Sequence, residues 1–391
     1  MNEGLPMMRT PSSNKQLALL LLIAASLTVA ACGRSIAGVD PGGEEVNPTT
    51  EPAPIATATD EPLPPAHPAS GLTFSTYEGT WLIDALAQVV LLTDRSMARI
   101  SPDGQWIAYE AEDSTAGTAD IWLIERASGD VRNLTNTPDR YEVNPMWWSG
   151  SEDRIVFGSD PDPLDGVWNS EYPTVIGLDG TGYQVLDENG GGLRSLSGDG
   201  QAIAYGGYDS PGAIYRWAKG VEAFDPSEYG VNAQKLFQPA WSPDGRLLAW
   251  NIGGDLLGDG SYQSGVAVFD LQAKSGRFFH IFAPAGGGTF PSYLEWSVDG
   301  EWLAFVTFGE PPATGRAPKL WVIRPDGSEE MYVGEGLDPT WSYDGEWLAS
   351  LRTNDAGQQE LSLAEVGTWE MQVVDLPHTD QIMFLMDWIR P

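Results

Sequence analysis

The sequence predicts an all-β chain folded as a β-propeller, and three observations support this fold class. From residue 71 onward, short runs rich in Val, Ile, Trp, Tyr and Phe alternate with clusters of Gly, Asp, Ser and Pro, as strands alternate with turns. No long stretch shows the apolar period of a helix. One turn motif also recurs every 45 to 55 residues, which is close to the length of a four-stranded propeller blade.

The recurring motif is a Ser-Pro-Asp-Gly turn between two strands. Ser first, Pro second, Asp third and Gly fourth are the preferences of a type I turn, and Gly at the left-handed position lets the second strand pair back on the first. The copies at Ser149 and Ser197 depart from the motif and are weaker. The six copies begin at Ser101, Ser149, Ser197, Ser242, Ser297 and Ser342.

A Trp precedes four of these turns, at the end of the first strand of each predicted blade. The large apolar area of Trp suits it to fill the space between neighbouring blades. We therefore interpret these side chains as core residues that wedge blades together, in preference to stacking platforms for sugars or bases. They are Trp148, Trp241, Trp296 and Trp341.

The repeat resembles that of the TolB-type, WD-like propellers, whose pattern is W-S-P-D-G-x-x-I-A-F, then I-W, then L-T. Residues 98–135 match best, with Ile107-Ala108-Tyr109 after the turn, then Ile121-Trp122 and Leu134-Thr135. The resemblance implies a propeller of four-stranded blades. Only the repeat carries over, so it implies no catalytic residue and no particular partner.

The two ends of the predicted propeller, residues 71–391, are expected to share one blade. Residues 71–94 read as the last three strands of a blade, and residues 377–391 read as a first strand ending at Trp388. Pairing them would close the ring and leave no open sheet edge. This predicts seven blades, with six, the number that the resemblance to the TolB-type propellers implies, as the alternative. The other blades are expected at about 95–140, 141–189, 190–236, 237–289, 290–335 and 336–376.

Residues 1–31 are predicted to be a lipoprotein signal peptide. Positively charged residues precede an uncharged apolar run from Leu17 to Ala31, which is short for a membrane span. The run ends in Leu-Thr-Val-Ala-Ala before Cys32, the single Cys of the chain, and this resembles the bacterial lipobox. The resemblance implies a lipid on Cys32, through which the protein would contact the membrane.

Residues 32–70 are expected to form a disordered tether behind the lipidated Cys. Residues 33–70 contain eight Pro and no apolar periodicity, so they cannot bury a core. Together with the anchor, this predicts an exported protein, lipid-anchored to the cell envelope at the outer membrane or at the extracytoplasmic face of the plasma membrane.

The charge of the chain limits its partners. Lys and Arg number 21 against 55 Asp and Glu, which gives a formal net charge of −34. Nucleic acids and anionic lipid surfaces both require an excess of basic residues, so neither is an expected partner. The remaining partner classes are an envelope protein, a peptide or a glycan.

The sequence contains few features typical of an enzyme. Neither a G-x-S-x-G elbow nor an H-E-x-x-H pair occurs, and no cofactor-binding pattern is found, so no cofactor is expected. The acidic loop with Asp160, Asp162 and Asp165 is a weak Ca²⁺ candidate, because it is off the EF-hand spacing and has no closing Glu. A solvated loop is the favoured alternative, and no metal site is predicted.

We expect function to lie in the loops on one rim of the propeller, because loops vary while blades stay rigid. The favoured hypothesis is a non-catalytic interaction or scaffolding module that binds a protein, peptide or glycan there. The alternative is a lyase or hydrolase of extracellular polymer, which requires carboxylates that converge in the channel with raised pKa values. The rim candidates are Arg140, Tyr141, Trp168, Tyr172, Tyr262 and Arg316.

Overall fold

The computed structural model describes residues 66–389, apart from 114–116, 149–152, 162–170, 208–211, 255–257, 259, 261, 283–290 and 309–316. These described residues form 28 β-strands and two short 3-10 helices, Pro226–Tyr229 and Thr379–Gln381. No helix in this part of the chain is long and apolar enough to cross a membrane. The predicted signal peptide, Cys32 and the tether up to residue 65 lie outside the described residues.

Five separate four-stranded blades share one antiparallel pattern, in which each strand pairs with the next. The first contains β1 (Leu72–Thr76), β2 (Gly79–Ile83), β3 (Val89–Thr93) and, from the far end of the chain, β28 (Phe384–Trp388). The second and third contain β12 (Leu193–Leu196), β13 (Ala202–Gly206), β14 (Ala213–Arg216) and β15 (Gly220–Ala223), then β16 (Lys235–Trp241), β17 (Leu247–Gly254), β18 (Gln263–Asp270) and β19 (Ser275–Phe282). The last two contain β20 (Ser292–Trp296), β21 (Leu303–Thr307), β22 (Lys319–Ile323) and β23 (Glu330–Glu335), then β24 (Leu337–Trp341), β25 (Trp347–Thr353), β26 (Gln359–Glu365) and β27 (Met371–Val374).

The remaining eight strands form one sheet. Its two antiparallel halves meet at a single parallel bridge, where Ala119 on β6 lies opposite Tyr141 on β8. The first half contains β4 (Arg99–Ile100), β5 (Trp106–Asp113), β6 (Thr118–Glu125) and β7 (Val131–Asn133). The second half contains β8 (Tyr141–Trp147), β9 (Arg154–Asp160), β10 (Tyr172–Gly177) and β11 (Gln184–Val185).

The all-β propeller fold is confirmed, but the expected blade count needs correction. Seven separate blades were expected, with six as the alternative, whereas five separate four-stranded blades and one eight-stranded sheet are present. The reason is local. The Ala119 N–H donates to the carbonyl oxygen of Arg140 at 3.3 Å, so β8 starts against the flank of β6 and joins the two halves.

The chain ends pair as the sequence predicts. β28 runs antiparallel to β1, with Leu72 opposite Trp388 and Ser75 opposite Phe384. The Thr73 hydroxyl donates to the carbonyl oxygen of Asp387 and accepts from its N–H, both at 2.9 Å. The Trp388 indole donates to the carbonyl oxygen of Ser70 at 2.7 Å. The last strand of the chain therefore completes its first blade.

The strand that lies at the centre of the ring is called the inner strand of its antiparallel unit. Neighbouring inner strands contact one another from β12 through β28 and β4 to β8, and Arg194 on β12 donates to the carbonyl oxygens of Val143 and Asn144 on β8, so the blades are arranged about a central channel. The apolar side chains of neighbouring sheets meet between them, with Trp250, Tyr205 and Phe157 among the largest fully buried residues. The inner strands are β4, β8, β12, β16, β20, β24 and β28.

The repeated turn has the expected backbone, and its Ser and Asp side chains hold it together. In the turn at Ser297, the hydroxyl donates to Asp299 Oδ1 at 2.5 Å and accepts from the N–H of Trp302 at 2.9 Å. Gly300 has a φ of 71°, the left-handed value that the motif predicts. The weaker copy at Ser197 forms the same pair of bonds, to Asp199 and from Ala202.

Ser297→Ala is expected to lower the free energy of unfolding by about 1–3 kcal/mol, because it leaves the buried N–H of Trp302 without an acceptor. Chemical denaturation monitored by Trp fluorescence measures the change. Ser328→Ala is the matched control, since the Ser328 hydroxyl also binds an Asp side chain, Asp326, but in an exposed turn. An equal loss in both variants would contradict the structural role of the buried Ser.

The predicted wedge role of Trp is present, with one shift of position. The indole N–H groups of Trp296 and Trp341 each donate to a backbone carbonyl of the preceding inner strand, Ala240 at 2.9 Å and Glu295 at 3.0 Å. In the eight-stranded sheet this place is taken by Trp147, which donates to Arg99 at 3.1 Å, and not by the predicted Trp148. Trp147, Trp296 and Trp341 thus bond neighbouring inner strands as well as filling space, whereas the buried indole N–H of Trp241 has no hydrogen-bond partner among the described residues.

Candidate functional site

A cavity of about 1000 Å³ lies where the inner strands meet. Its lining includes residues from every inner strand, so it is the central channel of the propeller. Five inner strands, β4, β12, β16, β20 and β24, end at the Ser-x-Asp-Gly turns. They begin at the opposite rim, which also carries the connections between the second and third strands of each unit, including the loop between β5 and β6.

Two layers of side chains line this channel. The deep layer consists of the residue directly before each wedge position, and the mouth layer consists of residues two positions earlier, nearer the rim. The deep layer is Arg99, Met146, Ser195, Ala240, Glu295, Thr340 and Asp387. The mouth layer includes Met97, Asn144, Gln238, Tyr293 and Asp338.

β-bulges place the mouth layer. The register shifts between Val143 and Met146, and again at the same point of β16, β20 and β24. A bulge adds one unpaired residue and changes the direction of its side chain. Four mouth residues have left-handed φ angles of 54–58°, at Met97, Asn144, Tyr293 and Asp338. Pro follows three of the mouth residues, which the bulge tolerates because that N–H has no ladder partner there.

An acidic wall covers one side of the channel, on β20, β24 and β28. Arg99 on the adjacent β4 is its cation. Its guanidinium Nη1 lies 2.8 Å from Asp387 Oδ1 and 2.6 Å from the carbonyl oxygen of Met386. The neighbouring Asp387 raises the pKa of Arg99, so this guanidinium stays charged. Asp387 Oδ2 is buried and has no hydrogen-bond partner among the described residues.

Glu295 and Asp338 complete the acidic wall, and both titrate above their ordinary range. Surrounding protein removes solvent from Glu295, and the charge of Asp387 adds to this, which raises the pKa of Glu295 to about 8 although its side chain is open to the channel. Loss of solvation likewise raises the pKa of Asp338 to about 6. The N–H of Leu385, which donates to Asp338 Oδ2 at 2.5 Å, has the opposite effect and lowers this pKa. Arg99 lowers both values, so these groups share one electrostatic environment.

A second ion cluster lies on the other side of the ring. Arg194 on β12 donates to the carbonyl oxygens of Gly192 at 2.6 Å and Val143 at 3.2 Å. Burial lowers its pKa to about 10, while Glu171 and Glu110 act in the opposite direction. Glu110 accepts from the N–H of Asn144 at 3.0 Å, and burial raises its pKa. Arg194 therefore connects β12 to β8 through backbone carbonyls.

The structure brings three of the predicted rim residues together at the end of the eight-stranded sheet. Arg140 Nη1 donates to Ser159 Oγ at 2.9 Å, Tyr172 lies opposite Ser159 in the β9–β10 pairing, and the Tyr141 hydroxyl donates to Glu112. Tyr262 is 42% exposed on a different blade. Trp168 and Arg316 lie outside the described residues.

Of the three weak Ca²⁺ candidates, the structure describes only one. Asp160 is a buried residue at the end of β9, while Asp162 and Asp165 lie outside the described residues. Within the described ranges, no group of three or more His, Cys, Asp or Glu residues is arranged to hold a metal ion.

The ionisable channel residues were not singled out in the sequence, although a signal for two of them exists. Glu295 and Asp387 each stand directly before a wedge Trp, in Glu295-Trp296 and Asp387-Trp388. Side chains alternate along a strand, so the residue before a wedge Trp points to the other side, into the channel. A charge at this otherwise apolar or small position marks the channel wall.

No protein-family model and no curated protein sequence matches this chain. Solved structures do. Oligogalacturonate lyase from Vibrio parahaemolyticus is 12% identical with a TM-score of 0.56, covering 75% of this chain and 84% of that one. The periplasmic gluconolactonase of Pseudomonas aeruginosa is 16% identical with a TM-score of 0.50, covering 81% and 97%. TolB from Acinetobacter baumannii is 16% identical with a TM-score of 0.44, covering 81% of each chain.

The arrangement of the sheets about one channel, together with the two likenesses whose TM-scores are 0.50 or higher, defines the class: the chain is a β-propeller. This is the fold class that the repeat predicts. At identities of 12–16%, the fold is all that is shared, and these proteins include a lyase and a lactonase beside TolB.

Proposed function

We propose that this protein is a non-catalytic lipoprotein of the cell envelope, whose propeller binds a protein, peptide or glycan at the channel mouth and the adjoining rim. One observation carries the proposal. A channel of about 1000 Å³ is open at the centre of the ring. Its walls carry ionisable side chains, and Asp387 Oδ2 and Arg194 Nε have no hydrogen-bond partner among the described residues. Concave sites with a few converging polar groups are the usual binding sites of proteins.

The rim extends this site. Arg140, Tyr141 and Tyr172 lie together near the mouth, and Tyr and Arg are the residue types enriched in binding hot spots. We also propose that the eight-stranded sheet acts as two blades, giving the ring a sevenfold organisation. Support comes from its two inner strands, β4 and β8, which both line the channel.

Photo-cross-linking in living cells tests the binding site. A benzoylphenylalanine at position 262, on the rim, is expected to give a discrete adduct that recurs between preparations. The matched control is the same residue at position 298, which is 51% exposed but lies in a turn at the opposite end of the inner strands. Equal adducts from both positions, or none from position 262, would contradict binding at the rim.

Cys32→Ser tests the anchor. The variant is expected to move from the membrane fraction to the soluble fraction, because a protein without the lipid has no predicted membrane contact. Immunoblots of fractionated cells measure the distribution, and Ser35→Ala, three residues further along the same segment, serves as the control. Membrane retention of Cys32→Ser would refute lipidation at this site.

A second candidate function is a lyase or hydrolase of extracellular polymer. It is favoured by two channel carboxyl groups that feel the charge of Arg99. The pKa is about 8 for Glu295 and about 6 for Asp338. Carboxyl groups with separated pKa values are the pattern of acid–base pairs. Incubation with neutral and with uronate polysaccharides, followed by product analysis, decides between the two functions. Turnover that Glu295→Gln abolishes would establish the enzyme, and binding without turnover would exclude it for those polymers.

A further inference from the structure

We infer that the channel recognises an organic cation, a primary ammonium or guanidinium group, held between Glu295 and Asp338 on the acidic wall. This inference rests on the proposed function, since it names the chemistry of the ligand at the proposed channel site. It concerns the deeper part of that site, whereas the rim residues would contact the remainder of the ligand.

The balance of charges on the acidic wall leads to this ligand class. Three carboxyl groups, Glu295, Asp338 and Asp387, face one cation, Arg99. The Arg99 guanidinium is already bonded to Asp387 and to the carbonyl oxygen of Met386. Within the described residues, the Glu295 carboxyl group forms neither a hydrogen bond nor an ion pair, and Asp338 forms no ion pair. Two carboxyl groups therefore lack a cation.

The other cation of the channel cannot fill this place. Arg194 lies on the other side of the ring and is fixed to the carbonyl oxygens of Gly192, Val143 and Asn144. The orphan oxygen of Asp387 adds a third acceptor to the wall, because Oδ2 is buried without a partner. An arriving ammonium or guanidinium group has several donors and no acceptor, which matches a wall of acceptors.

The size of the cavity and the negative charge of the protein both fit an organic cation. Glu295 and Asp338 belong to different layers on neighbouring inner strands, and a cavity of about 1000 Å³ accommodates a Lys or Arg side chain together with part of its backbone. The net charge of −34 attracts cations toward the molecule from a distance.

The protonation state of Glu295 supplies a measurable signature. With a pKa of about 8, this carboxyl group carries a proton for most of the time at pH 7. The groups that act on it are Asp387 and Asp338, which favour the proton, and Arg99, which opposes it. An organic cation beside Glu295 would lower the pKa of this carboxyl group further, as Arg99 already does. Binding at pH 7 is therefore expected to release up to one proton per site and to strengthen toward pH 9.

The experiment is isothermal titration calorimetry of the folded protein at pH 7, in two buffers of different ionisation enthalpy. The probes are acetyl-tetralysine amide and spermidine. The controls are the same peptide acetylated on every side chain and acetyl-tetraglutamate amide. Glu295→Gln is the test variant. Glu346→Gln is the matched control, since it removes the same charge from an exposed turn outside the channel lining.

The expected result is binding of a cationic probe with proton release, weakened about tenfold in Glu295→Gln and unchanged in Glu346→Gln. Binding of the lysine peptide alone assigns the cation to a polypeptide side chain, and binding of spermidine alone assigns it to a free polyamine. Equal binding of the acetylated peptide, or equal loss in both variants, overturns the inference while leaving the cross-link at position 262 to decide the proposed function. Absence of binding by both cations also overturns it.

Discussion

Deleting residues 384–391 is expected to abolish the cooperative thermal unfolding transition of the propeller. The deletion removes β28 and with it the inner strand of the first blade, so β1 is left as an unpaired edge. It also removes the buried side chains of Leu385, Met386 and Trp388. At about 1.5–3 kcal/mol for each of these three large apolar side chains, the loss is about 5–9 kcal/mol, comparable with the total stability of many domains.

Differential scanning calorimetry measures this transition, and two controls make the result specific. Deletion of residues 390–391 alone keeps all of β28 and is expected to leave the transition in place. A synthetic peptide of residues 377–391 is expected to restore the transition of the longer truncation in trans. A truncated chain that melts within about 2 °C of the full chain would show that closure by the two chain ends contributes little to stability.

The repeating parts of the fold were predictable because their information is local. A turn such as Ser297 to Gly300 and the Trp beside it are each specified by a few adjacent residues, and side-chain alternation along the strand does the rest. The join at Ala119 and Tyr141 was not predictable, because it depends on where one unit starts against its neighbour. Two adjacent Trp residues, Trp147 and Trp148, made the wedge position ambiguous by one residue.

The candidate site was harder to predict because its members are far apart in the chain. Arg99 and Asp387 are separated by 288 residues and meet only when the ring closes. Glu295 and Asp338 each come from a different blade. The rim candidates were chosen as loop residues, and two of the six, Trp168 and Arg316, lie outside the described residues. Periodicity identifies the blades, whereas the charges that distinguish this channel are single exceptions to the repeat.

Arg99→Met is expected to lower the melting temperature, and to do so more at pH 8 than at pH 5. Arg99 lowers the pKa values of Glu295 and Asp338, so without it both rise further above their unfolded values. A carboxyl group with a raised folded pKa loses stability as the pH increases from its unfolded pKa to its folded pKa. The penalty is therefore small at pH 5, where both groups are largely protonated. At pH 8 it is felt mainly through Asp338, whose pKa is about 6 with Arg99 present, and it is only beginning for Glu295, whose pKa is about 8.

The loss at pH 8 is expected to be about 1–2 kcal/mol, below the cost of breaking a fully buried pair, because Arg99 and Asp387 side chains are each 35% exposed. Thermal melts at both pH values measure it. Arg246→Met is the control, since its ion pair with Asp270 at 2.7 Å lies outside the channel. A pH-independent loss in Arg99→Met would mean that Arg99 acts through ring closure alone. A loss that grows with pH would show that it also balances the acidic wall, whose charges a cationic ligand would share.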